Sequence, residues 1–361
     1  MKLLITLDFF PERGGIQRYL SGIVKHAYTA DDQVLVGCAT LPDCNGSGSE
    51  LSVAPKYVTS IFSPINKKAS LVALLFAFLK VCRKNRGTVT VYCGNLYAAL
   101  VPWVCSFVNK QPYRLYVYGT ELEALRVRPV ARLLFLSVLN RAEKIISIGG
   151  YTSRLLDILK VHGSREIQVP KIDLPLSLQG RCGSIPLQLP QNQPCRILCV
   201  GRFVSHKGHE ILLRALAGLT YPFWELHLIG SGVLEKHYYS LIKSLGIEDR
   251  VVIKTACPDS ELAQEYAQAH LFVLPSLQTS GGSEGFGIVL LEAMAHGVAI
   301  VASACGGIPE VLDNDNAGIL VPPADVASLQ TAIKTVLTDS ALRQTLVSQA
   351  YCRLKEHYVF E

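Results

Sequence analysis

Glu284 and Glu292 stand on either side of two glycines in the stretch Ser283-Glu284-Gly285-Phe286-Gly287-Ile288-Val289-Leu290-Leu291-Glu292. The apolar run Leu271-Phe272-Val273-Leu274-Pro275 before it reads as a buried parallel strand, and Gly281 and Gly282 open a loop. From Ile288 the pattern turns helical until Gly297 stops it. This spacing puts Glu284 in a loop at a strand's carboxyl end. Gly285 and Gly287 bring bare backbone amides to a helix start, and Glu292 lies one to two turns further in. Unpaired N–H groups and the helix dipole at such a start favour a phosphate. A carboxylate instead accepts hydrogen bonds from sugar hydroxyls. Together they suit a nucleotide-sugar, with its diphosphate on the amides, its hexose on Glu284 and its ribose on Glu292. Alone, two glutamates at this spacing would equally suit an ordinary loop with surface carboxylates.

A second group supplies the missing cations. Gly201-Arg202-Phe203-Val204-Ser205-His206-Lys207-Gly208 follows the strand-like Arg196–Val200 and precedes a helix starting at His209. Arg202 as a fork and Lys207 as a point charge can neutralise a diphosphate. Near the amino terminus Gly14-Gly15 sits between strand-like Lys2–Leu7 and a helical run to about His26. Tyr118-Gly119-Thr120-Glu121 lies at the end of the strand-like Arg114–Tyr118, where ligands of open α/β sheets bind. No G-x-G-x-x-G dinucleotide fingerprint occurs.

The elements that must position these residues form two series. The first has strands at Lys2–Leu7, Val34–Cys38, Val89–Cys93, Arg114–Tyr118 and Lys144–Ile148, with a polar loop at Asp43–Ser49. Its helices include an apolar one at Tyr97–Val108 and one at Lys67–Arg86 with basic ends. The Lys67–Arg86 helix suits a core helix with solvated ends, or contact with an anionic membrane surface. Residues 174–194 lose all periodicity and are rich in Pro, Gly, Gln and Ser, which marks a linker. The second series has strands at Arg196–Val200, Glu225–Ile229, Arg250–Lys254, Leu271–Pro275 and Ala299–Ser303, the last followed by Gly306-Gly307-Ile308-Pro309-Glu310. Alternation of strand and helix predicts an α/β architecture of doubly wound parallel sheets in two domains, 1–175 and 195–361, joined by a linker at 176–194, with a crevice between them.

Bulk properties narrow the class. The 361 residues are 49% hydrophobic and 18% charged, without a low-complexity tract. The sequence predicts no cleaved leader and no spanning helix. The eleven cysteines lack a C-x-x-C pair and read as free thiols of a reducing cytoplasm. Residues 1–190 carry 23 Lys and Arg against 12 Asp and Glu, and the remainder 12 against 17. A basic first half implies an anionic partner. Nucleic acid is excluded because the basic residues are dispersed and no aromatic–basic stacking motif appears.

With these motifs in order, the chain resembles GT-B glycosyltransferases of the large retaining family 4, also called glycosyl transferases group 1. The resemblance runs along nearly the whole chain and is strongest from Arg196 to Pro323. It rests on Gly201-Arg202…Lys207-Gly208, on Glu284-x7-Glu292 and on Gly306-Gly307-x-x-Glu310. The resemblance implies two Rossmann-like domains facing across a cleft, the first holding the acceptor and the second the donor. It implies Arg202, Lys207 and Glu284 as catalytic residues, with Gly15, Gly201, Phe286, Gly287, Ile288 and Glu292 on the donor. Gly14, Tyr118 and Glu121 would contact the acceptor or the sugar. No metal and no cofactor are implied, and no Asp-x-Asp motif occurs. Many relatives carry His where Tyr118 stands, so the reaction would have to proceed beside a phenol. Relatives also continue into a last helix at about the position of Tyr358, and without it domain closure would rest on the linker.

The expected activity is transfer of a hexose, with retention, from a UDP- or GDP-linked donor to a glycan acceptor. The basic first half favours a lipid-linked or phosphorylated acceptor at the inner face of a membrane, in cell-surface polysaccharide or lipopolysaccharide assembly. Two other readings stay open: a nucleotide-sugar epimerase of the same fold, and a non-catalytic nucleotide-sugar-binding partner in a glycan assembly complex.

Overall fold

The computed structural model describes residues 1–9, 14–38, 58–62, 70–85, 89–109, 111–174, 193–221, 223–279 and 282–360. The loop expected at Asp43–Ser49, the ends of the Lys67–Arg86 helix, Gly281 and most of the 176–194 linker lie outside them. The chain divides into two compact units, Met1–Pro170 and Lys171–Glu361.

The first unit runs β1 (Lys2–Thr6), α1 (Gly15–Ala27), β2 (Gln33–Cys38), β3 (Val58–Phe62), α2 (Leu71–Lys84), β4 (Thr90–Cys93) and α3 (Leu100–Asn109). It continues with β5 (Tyr113–Val117), α4 (Thr120–Val127), α5 (Pro129–Arg141), β6 (Lys144–Ser147), α6 (Gly150–Ile158) and β7 (Arg165–Ile167). Its seven strands form one parallel sheet in the order β3-β2-β1-β4-β5-β6-β7. Leu3 pairs with Gln33 on one side and Val91 on the other. The second unit runs β8 (Cys195–Val200), α7 (His209–Ala217), β9 (Trp224–Ile229), α8 (Glu235–Leu245), β10 (Val251–Lys254), α9 (Asp259–Gln268) and β11 (Leu271–Leu274). It ends with α10 (Ile288–Ala295), β12 (Ala299–Ser303), α11 (Ile308–Val311), β13 (Ile319–Val321), α12 (Val326–Thr338) and α13 (Ser340–His357). Its six parallel strands lie in the order β10-β9-β8-β11-β12-β13.

The central strands are continuous apolar runs because helices cover both faces of a parallel sheet. Every residue of β11 and β12 is buried. Helix α10 follows the same logic: Leu290, Leu291, Ala293, Met294 and Ala295 are all buried, and Glu292 is its one charged residue. In each sheet the chain builds outward from one central strand and then returns to its other side. The reversal falls between β1 and β4 in the first sheet and between β8 and β11 in the second. The helices that follow β8 and β11 therefore go to opposite faces, and the carboxyl ends of the strands at this reversal are where such sheets take ligands.

The last described residues stitch the second unit together. Past α13, the Tyr358 carbonyl accepts from the Ile172 amide at 2.8 Å, and the Phe360 amide donates to the Ile172 carbonyl at 3.3 Å. The Tyr358 ring meets Phe286 edge-on at 5.6 Å. Arg353 of α13 donates to the carbonyls of Glu310 (2.6 Å) and Val311 (2.8 Å), satisfying the end of α11. Tyr358→Ala should cost about 3 kcal/mol in urea unfolding through lost aromatic packing. Tyr358→Phe should cost about 1 kcal/mol or less, since only the contact to Arg353 at 3.3 Å is removed. An alanine variant as stable as wild type would show that this tail anchors nothing.

Candidate active site

Three loops of the second unit, after β8, β11 and β12, meet at backbone distance. Gly208 has φ +67°, and a Cβ there would come within 1.9 Å of the Pro275 carbonyl oxygen. The Leu277 amide donates to the His206 carbonyl at 2.7 Å, tying the β8 loop to the β11 loop. Gly306 has φ +60°, and a Cβ there would come within 1.9 Å of the Glu284 carbonyl oxygen. The neighbouring Gly307 amide donates to that same oxygen at 2.9 Å. At both positive-φ positions an L side chain would be strained as well as blocked. Glycine here permits an approach that fixes where Lys207 and Glu284 stand.

These two side chains, 77 residues apart in the chain, form an ion pair: Lys207 Nζ donates to Glu284 Oε2 at 2.5 Å. Their side chains keep only 14% and 12% of their surface exposed. Ser276, at the end of β11, donates its hydroxyl to the same carboxylate oxygen at 3.3 Å. Beside the pair, Gly287 caps α10 in the left-handed region with φ 90° and no side-chain cap. The amides of Ile288 and its neighbours open that helix, where the first N–H groups have no intrahelical acceptor. Arg202 is exposed, on the loop that carries Lys207. Burial lowers the pKa of His206, and the Lys207 and Arg202 charges add to that against the pull of Glu284. This is a compact group of cations, amides and one carboxylate, suited to a phosphate next to a hydroxylated ring.

Glu292 points elsewhere on α10. It is half-buried and accepts from the Tyr266 hydroxyl at 2.8 Å. Tyr266 is stacked on His296 at 5.3 Å, and His296 Nδ1 lies 2.8 Å from the Glu292 carbonyl. Phe286 is buried, so its contribution to a ligand would be its amide. Gly201 lies over the Lys207 stem, 3.6 Å from Cδ for a Cβ built there. Neither Ser276 nor Tyr266 is singled out by the sequence reading. Ser276 has a positional signal, as a polar residue directly after a buried strand. Tyr266 has none, being 26 residues from Glu292.

The other residues of interest lie in the first unit. Gly14 precedes α1 with extended backbone and Gly15 is its exposed first residue. Tyr118 is 5% exposed and donates its hydroxyl to the Gly94 carbonyl at 2.7 Å, with its ring edge-on to Tyr19. Burial raises its pKa well above the ordinary phenol value. A hydroxyl engaged in this way packs the sheet and has no hydrogen to offer a sugar. Glu121 curls back to accept from the Tyr118 amide at 2.5 Å. Burial, aided by the Asp8 charge and opposed by backbone donors, pushes its carboxyl up to about 7. Asp8 itself accepts from Asn95 Nδ2 at 2.6 Å. Among the described residues no three His, Cys, Asp or Glu side chains come together as a metal site would require.

The chain is similar to known proteins in both sequence and structure. Residues 187–353 match the family model described as glycosyl transferases group 1. Over 351 residues, 93% of this chain and 89% of the relative, the sequence is 28% identical to the GDP-mannose-dependent alpha-(1-6)-phosphatidylinositol monomannoside mannosyltransferase of Mycolicibacterium smegmatis. In structure it superposes on sucrose-phosphate synthase from Thermosynechococcus elongatus with a TM-score of 0.80 and 22% identity, covering 99% of this chain and 95% of that one. Anabaena HepE in complex with UDP-glucose gives 0.78 at 19% identity, covering 99% and 96%. The two parallel-sheet units are those of the GT-B fold.

Beneath Lys207, His209 is wholly buried, its ring edge-on to Phe203 at 5.3 Å and its Nδ1 3.4 Å from the Tyr238 hydroxyl. Burial first, then the Lys207 charge, drops its pKa to about 3. A histidine held neutral in the fold stabilises fully above its unfolded pKa near 6.5, and this is lost as pH falls towards 3. Between pH 7 and pH 4 that loss is on the order of 3 kcal/mol. Urea unfolding of His209→Leu should therefore show an acid limb shallower than wild type by about this amount. Parallel curves for the two proteins would mean that His209 is not held neutral.

Proposed function

From a chain whose residues 187–353 match the glycosyl transferases group 1 model, we propose that it is a retaining, metal-independent glycosyltransferase of family 4. It moves a hexose from a UDP- or GDP-linked donor to a glycan acceptor, and the acceptor is lipid-linked. The observation that carries the reading is the Lys207–Glu284 pair, set between glycine-tight loops at the start of α10. The name of the mycobacterial mannosyltransferase supports a nucleoside diphosphate donor and a lipid acceptor, and the UDP-glucose complex of the Anabaena protein supports the donor class. A role in cell-surface polysaccharide or lipopolysaccharide assembly, as a cytoplasmic protein peripheral to the membrane's inner face, completes the reading.

Each residue has a part in it. The diphosphate arrives at the α10 amides and takes Lys207 from Glu284, with Arg202 alongside. Glu284, released from its cation, accepts hydrogen bonds from the hexose hydroxyls, and Glu292 takes the ribose beside Tyr266. Gly201 lets backbone approach the donor, and the family resemblance assigns Gly15 to the donor and Gly14, Tyr118 and Glu121 to the acceptor or the sugar. The C1–O bond to the β-phosphate breaks, its electron pair leaving on the phosphate oxygen. The acceptor hydroxyl attacks C1 from the same side and passes its proton to the departing phosphate. Lys207, Arg202 and the amides stabilise the charge that develops there, the electrostatic contribution that usually dominates such catalysis.

Thermal unfolding with UDP, GDP, ADP and their common sugars identifies the donor. A ligand at about 100 times its dissociation constant adds about 2.7 kcal/mol. One nucleotide should shift wild type and fail to shift Lys207→Ala. If none shifts wild type, the reading as a nucleotide-sugar enzyme is wrong. In turnover Lys207→Ala should lower kcat by about 10²–10³-fold, or about 2.7–4 kcal/mol.

Glu284→Ala separates the two halves of the site. It should abolish transfer yet keep, or enlarge, the shift given by the nucleoside diphosphate, because Lys207 then binds phosphate without a competitor. Loss of that shift would place Glu284 on the phosphate side and sink the division of roles.

A further inference from the structure

Helices α2, α3 and α5 lie along one face of the first sheet. Their inner sides join a single core that includes Leu74 and Phe78 of α2, Val101 of α3, and Val138 and Leu139 of α5. Their outer sides are also apolar. In α5, Val130 and Leu133 are 83% and 76% exposed, on the side opposite Val138 and Leu139. In α3, Val108 is 83% exposed and Phe107 57%. In α2, Val72 and Phe76 are exposed at a four-residue step, and Lys80 and Lys84 continue the same line towards the helix end. α3 and α5 are joined side by side: the Arg141 guanidinium sits 4.1 Å from the Phe107 ring centre, and Trp103 Nε1 donates to Ser137 at 3.3 Å. Large apolar side chains are thus exposed together on three neighbouring helices, a pattern that marks an interaction surface and not scattered surface residues.

Charge selects the occupant. Residues 70–141 contain ten Lys and Arg against two Asp and Glu. Those two, Glu121 and Glu123, are turned inward, Glu123 being buried and neither exposed. Arg128 is exposed directly before α5, and Arg126, exposed in the last turn of α4, pairs with Glu123 at 2.8 Å. A second copy of this chain docking by the same patch would bring like charges face to face. An anionic lipid surface instead offers hydrocarbon for Val130, Leu133, Val108 and Phe76, and phosphates for the arginines and lysines. Among the described residues no helix is long and apolar enough to cross a membrane.

We propose that the outer face of α2, α3 and α5 docks on an anionic bilayer, the apolar side chains entering the acyl boundary and the basic ones meeting lipid phosphates. The inference rests on the reading of a lipid-linked acceptor and assigns the surface that would bring the enzyme to it.

Flotation of the full chain with vesicles tests it without donor or acceptor. The protein should float with phosphatidylcholine–phosphatidylglycerol vesicles and not with pure phosphatidylcholine. Binding should weaken as salt rises from about 0.1 to about 1 M and the screening length falls from about 10 to about 3 Å. Val130→Asp with Leu133→Asp should reduce vesicle binding at least about tenfold, by the loss of buried apolar surface. Arg128→Glu, a change of charge alone, should reduce it on anionic vesicles. Both proteins should keep the nucleotide-dependent thermal shift, which shows that they are folded. The proposal is overturned if wild type ignores anionic vesicles, if the variants float as it does, or if the patch instead supports a concentration-dependent dimer that Val130→Asp dissolves. Failure of the nucleotide shift in wild type would strike the functional reading and leave the flotation result standing on its own.

Discussion

The candidate site depends on backbone-to-backbone contact among three loops. Gly208 against the Pro275 carbonyl and Gly306 against the Glu284 carbonyl bring the chain closer than any side chain would allow. Because the loops leave β8, β11 and β12, neighbours in one sheet, the contact is made at the point where the strand order reverses. Everything charged in the site hangs from these contacts. Lys207 sits one residue before Gly208, and Glu284 supplies the very carbonyl that Gly306 and the Gly307 amide approach.

The ion pair so formed is unusual for the chemistry it would serve. Two charges with little exposed surface have given up much of their hydration, and their mutual attraction must offset that cost. Taking one partner away leaves the other poorly solvated. A phosphate reaching Lys207 avoids this penalty only if Glu284 finds new donors, and sugar hydroxyls are donors. On the proposed reading the pair would link the two ends of a nucleotide-sugar energetically: phosphate alone would displace the carboxylate at a cost, whereas phosphate with its hexose would satisfy both groups.

Much of this was legible in the sequence, for physical reasons that also explain what was missed. Buried parallel strands such as β11 and β12 are continuous apolar runs, so their positions and the loops behind them could be read directly. Glycines at helix starts marked the β8, β11 and β12 loops. By contrast β7, Arg165–Ile167, is a three-residue edge strand whose exposed residues carry no apolar pattern. β3 has Thr59 and Ser60 exposed at its centre, and α13 spreads apolar and polar residues around its whole circumference. Lys207 and Glu284 each stand out in the sequence, but no sequence rule pairs residues across 77 positions. Tyr118 shows a placement the sequence does not reveal. Its place at the end of β5 suggested ligand contact, whereas its size lets it reach the Gly94 carbonyl and become core.

The stitching of the tail gives the loop before α10 a second support. Ile172 follows directly on the division between the two units, and it is bonded on both sides by Tyr358 and Phe360. Tyr358 in turn packs on Phe286, whose neighbour Gly287 opens α10. Phe286 has no polar side chain to offer a ligand and is buried. Its value to the site lies in holding the following amides still, and an aromatic ring anchored between loop and tail does that better than a solvent-facing residue. Preorganised amides stabilise a developing phosphate charge without reorganising at the moment of bond breaking. The amide cradle is thus held from two directions, by the glycine contacts behind Glu284 and by the aromatic contact that ties Phe286 to the tail.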